Sequence, residues 1–159
     1  MELDKIIGKN SVLLDLEAKG AAQAISFLCA FAAKALGAEP AAVLGPVLER
    51  EALGSTAVGG GVAIPHGKTP LVESVKLFMA RTAQGFELSD YDSPDGRPVR
   101  LIALLLGPER LDPDHLKVLA VLGRLWRSPE NVNQMMAAKD PESFLETLLS
   151  LSGPTPAAA

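Results

Sequence analysis

The sequence predicts a single-domain α/β fold, in which helices and strands pack in layers. The alternating run at residues 75–82 and the nearly unbroken apolar run at residues 99–106 have the length and composition of buried strands. Segments with helical apolar spacing stand before and after these runs. A chain of 159 residues is also long enough for one domain with a substantial core.

Three strands are predicted, and a short helical turn at residues 3–8 precedes them. Residues 11–16 form the first and shortest strand. The second, residues 75–82, alternates in polarity but carries Phe78 on its polar face, so we expect both faces to be covered. The third, residues 99–106, is the most apolar, which places it in the middle of a covered sheet.

Two helices are predicted before the second strand. The first spans residues 21–36, and Gly37 suits its C-terminal cap. The second begins at Pro40, a residue favoured at the first helical position, and ends near Leu53. Pro46 lies inside this helix and either kinks or divides it; the sequence leaves both outcomes open.

Three more helices follow the last strand, and their starts share one device. Each start places a capping side chain directly before a proline at the first helical position. The three pairs are Asp112-Pro113, Ser128-Pro129 and Asp140-Pro141. We assign residues 1–151 to the domain and predict a disordered tail over residues 152–159.

Composition and charge exclude several classes of function. The net charge is −4 and no basic stripe is present, so nucleic acid is not an expected partner. Cys29 is the only cysteine and lies in an apolar run, which fits a packed residue in a reducing compartment. No signal pattern opens the chain, and its apolar runs are shorter than the ~20 residues that cross a bilayer. We therefore expect a cytoplasmic protein without membrane insertion.

Residues 50–68 are the least ordinary stretch of the chain. The stretch contains three consecutive glycines, Gly59 to Gly61, whose exposed N–H groups could form an anion nest. Pro65 stiffens the approach to His66, one of only two histidines. A stiffly presented imidazole beside an anion cradle and near Arg50 suits phosphoryl transfer to nitrogen. The residues alone equally fit a glycine-rich surface turn with an incidental histidine.

Two rival sites are disfavoured. Gly67-Lys68-Thr69 resembles the end of a nucleotide-binding P-loop, but Val62 stands where that loop needs its first glycine. The acidic stretch at residues 84–95 carries three aspartates, but they lack the spacing of a calcium loop. We therefore expect neither a nucleotide nor a metal site.

Two further charged or titratable side chains have alternative interpretations. Arg50 is either a solvated charge that complements a helix C-terminus or a guanidinium that holds phosphoryl oxygens. His115 lies in the first turn of the helix capped by Asp112, where the helix dipole favours its neutral form. It is either an ordinary helix-start histidine or a hydrogen-bond donor at the site. The residues alone favour the ordinary interpretation of both. Glu51 is interpreted as structural, with a possible role in orienting Arg50.

The order of residues in 50–68 closely resembles a known signature. The stretch reads Arg-Glu-x-Leu-Gly-Ser-Thr-x-Val-Gly-x-Gly-Val-Ala-Ile-Pro-His-Gly-Lys. It resembles the active-site signature of phosphotransferase-system (PTS) IIA domains of the fructose/mannitol type, and most of all their nitrogen-regulatory branch. Weaker similarity runs from about residue 5 to about residue 150. Ala57 and Val58 depart from the common Gly and Ile of that family.

The resemblance implies a fold and a set of site residues. The fold is a layered sandwich, a mixed β-sheet with helices on both faces. His66 would be the phosphorylated residue and His115 its neighbour, with Arg50 completing the catalytic set. We expect phosphoryl-binding donors at five further positions of the signature, and neither a cofactor nor a metal. These positions are Ser55, Thr56, Gly59, Gly60 and Gly61.

The same resemblance implies partners and leaves more than one function open. A phosphorylated carrier protein of the HPr type would be the donor. The favoured hypothesis is a nitrogen-type regulator whose phosphorylation state changes which target protein it binds. The alternatives are a IIA component that passes the phosphoryl group to a IIB domain for sugar uptake, and a regulatory module that accepts no phosphoryl group.

Overall fold

The computed structural model describes residues 2–153, so Met1 and residues 154–159, most of the predicted tail, lie outside the described residues. The described part folds as an α/β domain, as predicted. Two 3₁₀ turns, Leu3–Lys5 and Lys9–Ser11, precede the first strand. The elements that follow are β1 (Val12–Leu16), α1 (Ala21–Ala35), α2 (Pro40–Glu51), β2 (Ala57–Gly59), β3 (Val62–Ala63), β4 (His66–Lys68), β5 (Lys76–Thr82), β6 (Leu101–Gly107), α3 (Pro113–Leu125), α4 (Pro129–Ala137) and α5 (Pro141–Leu151).

The six strands of the described residues form one mixed sheet, in the order β1-β5-β6-β3-β2, and β4 also pairs with β6. β6 is antiparallel to β5 on one side and parallel to both β3 and β4 on the other. The most apolar run is therefore central, as its composition predicted. It starts at Leu101 rather than at Val99, because Val99 instead pairs with Leu88 in an isolated bridge.

Successive residues of β6 face opposite cores, which places helices on both faces of the sheet. Ile102, Leu104 and Leu106 pack in a core shared with α1 and α2. Leu101 and Leu105 belong to a second core shared with α3, α4 and α5. All seven residues of β6 are buried. This confirms the layered arrangement that the family resemblance implied.

The glycine-containing stretch is more regular than the sequence suggested. Residues 57–68 contribute three short strands to the sheet edge, where we had predicted a loop. Gly59, Gly60 and Gly61 all have positive φ and make the turn between β2 and β3. Each strand is only two or three residues long, so no periodic pattern existed for a sequence argument to detect.

Helix α2 continues through Pro46 and is not divided. Its N-terminal proline lies at the first helical position, as predicted. Pro46 packs onto β4, since a Cβ placed on Gly67 would lie 3.1 Å from the carbonyl carbon and Cβ of Pro46. This close approach fixes the end of α2, and with it Arg50, against the strand that carries His66.

The three predicted caps of α3, α4 and α5 are confirmed. Asp112, Ser128 and Asp140 accept hydrogen bonds from backbone N–H groups of their own helices. Helix α1 begins after a glycine and is capped from a distance, because Asp90 Oδ1 accepts from the N–H of Ala21 at 2.9 Å. Within residues 2–153 no helix has the length and apolar character needed to cross a membrane.

Candidate active site

Strand β4 presents His66 at the edge of the central strand. His66 pairs with Leu105 of β6, and the preceding Pro65 carbonyl accepts from the Leu105 N–H at 3.0 Å. Pro65 and Gly67 are buried, whereas the His66 side chain is half-exposed. The backbone on either side is thus fixed by the sheet while the imidazole faces the surface, so the prediction of a stiffly held, accessible ring agrees with the geometry.

A single hydrogen bond sets the tautomer of His66. Its Nδ1 lies 2.9 Å from the carbonyl oxygen of Ile64. A carbonyl oxygen can only accept, so Nδ1 carries the proton and donates it. The lone pair of the neutral ring is therefore on Nε2. Ile64 is itself held, because its N–H donates to the carbonyl of Thr56 at 3.0 Å.

The second histidine lies beside the first. His115 is in the first turn of α3, and its ring centroid is 5.5 Å from that of His66, with the planes inclined at 69°. His115 Nδ1 is buried and meets no hydrogen-bond partner among residues 2–153. It lies against the end of β6, where a Cβ on Gly107 would be only 2.9 Å away. A buried lone pair costs less than a buried, unpaired N–H, so the proton of the neutral ring belongs on Nε2.

The surroundings of His115 keep it neutral. Burial lowers its pKa below the ordinary histidine value, and the nearby His66 and Lys68 lower it further. Asp112 opposes these effects without reversing them. The predicted direction is confirmed, but desolvation is the leading cause, whereas the sequence argument relied on the dipole of α3.

Arg50 and His66 line the same cavity, whose volume is about 260 Å³. Arg50 stands in the last turn of α2, and its Nη1 donates to the carbonyl of Gly54 at 2.8 Å. Its remaining N–H groups are available to an anion in the cavity. Leu119 and Gly123 of α3 form part of the opposite wall. The structure thus brings Arg50, His66 and His115 together, as the resemblance implied.

The two predicted hydroxyl donors are used within the protein. Ser55 and Thr56 both line the cavity. The Ser55 hydroxyl donates to the carbonyl of Asp92, and the Thr56 hydroxyl donates to Glu51. Since a hydroxyl has one proton to donate, neither offers a second donor to a phosphoryl group in this arrangement. Both residues line the cavity wall, and their assignment as phosphoryl-binding donors stays a prediction.

The structure places Gly59, Gly60 and Gly61 in the turn between β2 and β3, and their assignment as phosphoryl-binding residues stays a prediction. Their turn lies at the start of β6, because Val62 pairs with Leu101 whereas His66 pairs with Leu105. Four residues of strand separate these positions by roughly 13 Å. At this turn the Gly60 N–H donates to Asp95 Oδ2 at 2.8 Å, so a carboxylate of the same chain occupies the predicted anion nest. This bond is the main reason why the pKa of Asp95 is lowered to about 2.

Sequence reasoning missed the contribution of the acidic stretch. Tyr91 is buried, and its hydroxyl donates to Glu51 Oε1 at 3.0 Å and lies 2.7 Å from Thr56 Oγ1. The structural interpretation of Glu51 holds, and its contacts are with Thr56 and Tyr91, whereas the sequence had suggested Arg50 as a possible partner. No signal in the sequence indicated the contacts of Tyr91, because Thr56 and Glu51 lie 35 and 40 residues away from it in the chain.

Four exposed apolar side chains lie on the chain segments that carry the site residues. Val58 lines the cavity and is 52% exposed, and Leu53 follows Arg50 at 84% exposure. On the side of α3, Leu111 and Leu116 flank the His115 turn at 86% and 69%. Large apolar residues at such exposure around a polar centre are typical of a protein-docking surface. We name these four residues the apolar rim.

The comparisons with known proteins agree with this geometry. Residues 5–150 match the family model described as phosphoenolpyruvate-dependent sugar phosphotransferase system, EIIA 2. A protein of Bradyrhizobium diazoefficiens named nitrogen regulatory protein is 38% identical over 93% of this chain and 95% of its own. The crystal structure of nitrogen regulatory protein IIA-Ntr from Neisseria meningitidis superposes with a TM-score of 0.82, at 28% identity, over 94% of this chain and 97% of its own.

A more distant structure shares the fold alone. It is the complex of the mannitol enzyme IIA with phosphorylated mannitol enzyme IIB from Escherichia coli. The match has a TM-score of 0.73 at 19% identity and covers 91% of this chain and 97% of that one.

Proposed function

The chain belongs to the EIIA 2 family of the phosphoenolpyruvate-dependent sugar phosphotransferase system, and on that premise we propose that it is a phosphohistidine carrier and regulator of the nitrogen-regulatory type. One observation carries the proposal. His66 is half-exposed, donates from Nδ1 to Ile64 and so presents the Nε2 lone pair at a cavity that Arg50 also lines. A neutral second histidine stands beside it.

The reaction is an in-line transfer between two imidazoles. His66 Nε2 attacks the phosphorus of a phosphohistidine on the donor, so a new N–P bond forms while the donor's N–P bond breaks. A donor ring that is protonated at its other nitrogen leaves as neutral imidazole. The His66 ring becomes the cationic partner and keeps its Nδ1 proton. No proton needs to be exchanged, and the Ile64 carbonyl accepts a stronger, charge-assisted bond from the phosphorylated ring.

Positive groups around Nε2 stabilise the charge on the transferred group. The guanidinium of Arg50 suits the equatorial oxygens, which need positioned donors more than covalent help. The Nε2–H of neutral His115 is a second donor at hydrogen-bonding range of a group on His66. Lys68 lies on the same side of β4 as His66, two residues on, and adds a second positive charge to that of Arg50.

The donor is a phosphorylated carrier protein of the HPr type. The apolar rim supports a protein donor, because exposed apolar side chains on the segments that carry Arg50, His66 and His115 suit contact with another protein. The same surface would serve a later acceptor, since the phosphoryl group must leave by the route that it entered. A regulatory target protein is the favoured acceptor or binding partner, in keeping with the name of the 38% identical relative.

The second candidate function is a IIA component that hands the phosphoryl group to a IIB domain. Two observations favour it: the family description names sugar phosphotransfer, and the E. coli protein of the same fold forms a complex with a phosphorylated IIB. Pull-downs with phosphorylated and unphosphorylated protein separate the two. Capture of a IIB domain alone supports sugar uptake, whereas capture of kinases or channels that depends on phosphorylation supports regulation.

Phosphoryl transfer itself is tested by intact-mass measurement. The wild type, His66→Ala and His115→Gln are incubated with a phosphorylated HPr-type carrier. We expect one phosphoryl group on the wild type, none on His66→Ala, and slower acceptance by His115→Gln. Thermal unfolding of each variant serves as the folding control. Undiminished labelling of His66→Ala would reject the assignment, and an unlabelled wild type would support the module that accepts no phosphoryl group.

A further inference from the structure

Three side chains form a buried polar cluster next to the site. Glu51 ends α2, Thr56 precedes β2, and Tyr91 comes from the acidic stretch between β5 and β6. The Tyr91 hydroxyl donates to Glu51 Oε1 at 3.0 Å and lies 2.7 Å from Thr56 Oγ1, and Thr56 donates to the same Glu51 oxygen. Thr56 and Tyr91 are each only 5% exposed. Polar atoms at this depth lose their water and hold position only while these mutual bonds persist.

The cluster is connected to the nucleophile by an unbroken series of hydrogen bonds. The Thr56 hydroxyl donates to Glu51 and lies 2.7 Å from the Tyr91 hydroxyl, and the Thr56 carbonyl accepts from the Ile64 N–H at 3.0 Å. The Ile64 carbonyl in turn accepts from His66 Nδ1 at 2.9 Å. A movement of Thr56 would therefore move the one acceptor that fixes the tautomer and orientation of the His66 ring.

The same cluster controls the second wall of the cavity. Glu51 is the direct neighbour of Arg50 in the last turn of α2. The Arg50 guanidinium binds the Gly54 carbonyl, inside the short connection from Glu51 to Thr56. Both ends of this connection are fixed by Tyr91. The Tyr91 hydroxyl therefore contacts both residues that bound this connection: Glu51, next to Arg50, and Thr56, whose carbonyl holds Ile64.

We propose that Tyr91, acting through Glu51 and Thr56, is a positioning residue for phosphoryl transfer at His66. This rests on the proposed function of His66. Tyr91 does not touch the transferred group. It holds the Ile64 carbonyl where it fixes the His66 proton on Nδ1, and it keeps the Arg50 segment against the cavity. Burial raises the pKa of Tyr91 well above its ordinary value, so its hydroxyl remains a donor throughout the physiological range.

The first test compares Tyr91→Phe with the wild type. Phe keeps the ring and removes only the hydroxyl. We expect the transfer rate at saturating carrier to fall about tenfold, within the hundredfold that a misplacement of ~1 Å can cost. The carrier concentration at half-maximal rate should stay the same, because the apolar rim is untouched. Glu51→Gln, which keeps the size of the side chain, should have a similar effect and serves if Tyr91→Phe folds poorly.

The control is Asp90→Ala. Asp90 comes from the same acidic stretch but caps α1, so the variant loses stability without touching the cluster. We expect it to unfold at a lower temperature than the wild type and to accept the phosphoryl group at the wild-type rate. Equal slowing in Asp90→Ala would show that loss of stability, rather than loss of positioning, explains Tyr91→Phe, and would overturn the proposal.

A second measurement is independent of the carrier. Nitrogen-15 NMR of the imidazole reports which ring nitrogen of His66 is protonated, and phosphoramidate serves as a small phosphoryl donor. We expect a high population of the Nδ1–H tautomer in the wild type, a lower one in Tyr91→Phe, and slower phosphorylation of the variant. Identical spectra and rates would overturn the proposal. If the carrier fails to label the wild type while the tautomer still shifts in Tyr91→Phe, the proposed donor is wrong and the positioning inference stands.

Discussion

Two sets of glycines in this protein act differently in the structure, and the less conspicuous set lies nearer the proposed chemistry. Gly59, Gly60 and Gly61 form the most conspicuous run in the chain, yet they make a turn that is occupied by the Asp95 carboxylate. Gly67 and Gly107 are isolated in sequence, yet they touch the machinery. A Cβ on Gly67 would press on Pro46 at 3.1 Å, and a Cβ on Gly107 would meet His115 Nδ1 at 2.9 Å.

The difference shows what a glycine does for an active site of this kind. The run supplies backbone angles that other residues reach only with strain, which is a requirement of the turn. The isolated glycines supply space, which allows α2 and the His115 ring to lie directly on the sheet. Close packing matters most at this site, because the rings of His66 and His115 lie 5.5 Å apart although they come from different layers of the fold.

Among the glycine substitutions, the largest effect on activity is expected from Gly107→Ala. The new methyl group would overlap with His115 Nδ1, so the ring must leave its place beside His66. We expect the rate of phosphoryl acceptance to fall on the order of 100-fold. The displaced ring should also become more exposed, so its pKa should rise back toward the ordinary histidine value. Acceptance is measured by intact mass, and the pKa by NMR titration.

Gly45→Ala is the matched control for this substitution. Gly45 lies inside α2, where a Cβ would meet no other atom within 4 Å among the described residues. We expect acceptance at the wild-type rate and a gain of about 1 kcal/mol in the free energy of unfolding, because alanine is the better helix former. Unchanged acceptance in Gly107→Ala would contradict the role of close packing at His115.

A smaller effect, on stability first, is expected from Gly67→Ala. The added methyl group would force α2 away from β4, because it would lie 3.1 Å from the carbonyl carbon of Pro46 and from the N of Val47. Overpacking of this kind typically costs ~1–3 kcal/mol. Urea unfolding monitored by circular dichroism measures the loss. A variant as stable as the wild type would show that the contact between α2 and β4 is loose.

The sequence predicted the large elements and the chemical centre for identifiable reasons. β6 and the capped helices carry strong local signals: a long apolar run, and a capping side chain before proline. His66 was found through the family signature, and the structure places Arg50 and His115 beside it. The contacts that Ser55 and Gly60 make within the protein were not predicted, because their partners, Asp92 and Asp95, lie about 35 residues away in sequence. Periodicity and spacing cannot reveal such pairings.

The smallest effect on activity is expected from Asp95→Ala, which tests the other half of the comparison. The variant empties the nest at Gly60 but leaves His66, Arg50 and His115 untouched.

The lowered pKa of Asp95 means that its ionised form is more stable in the folded state than in the unfolded state. The contribution of Asp95 to the free energy of unfolding is complete above the ordinary aspartate pKa and is lost as the pH falls through about 2. At pH 7 we therefore expect Asp95→Ala to be slightly less stable than the wild type, with a stability difference that narrows toward pH 2. Phosphoryl acceptance by intact mass should stay within about twofold, since the hairpin tip is roughly 13 Å from His66 along the strand. A tenfold loss of acceptance in a folded Asp95→Ala would show that the glycine turn takes part in transfer after all, and the two sets of glycines would then share one function.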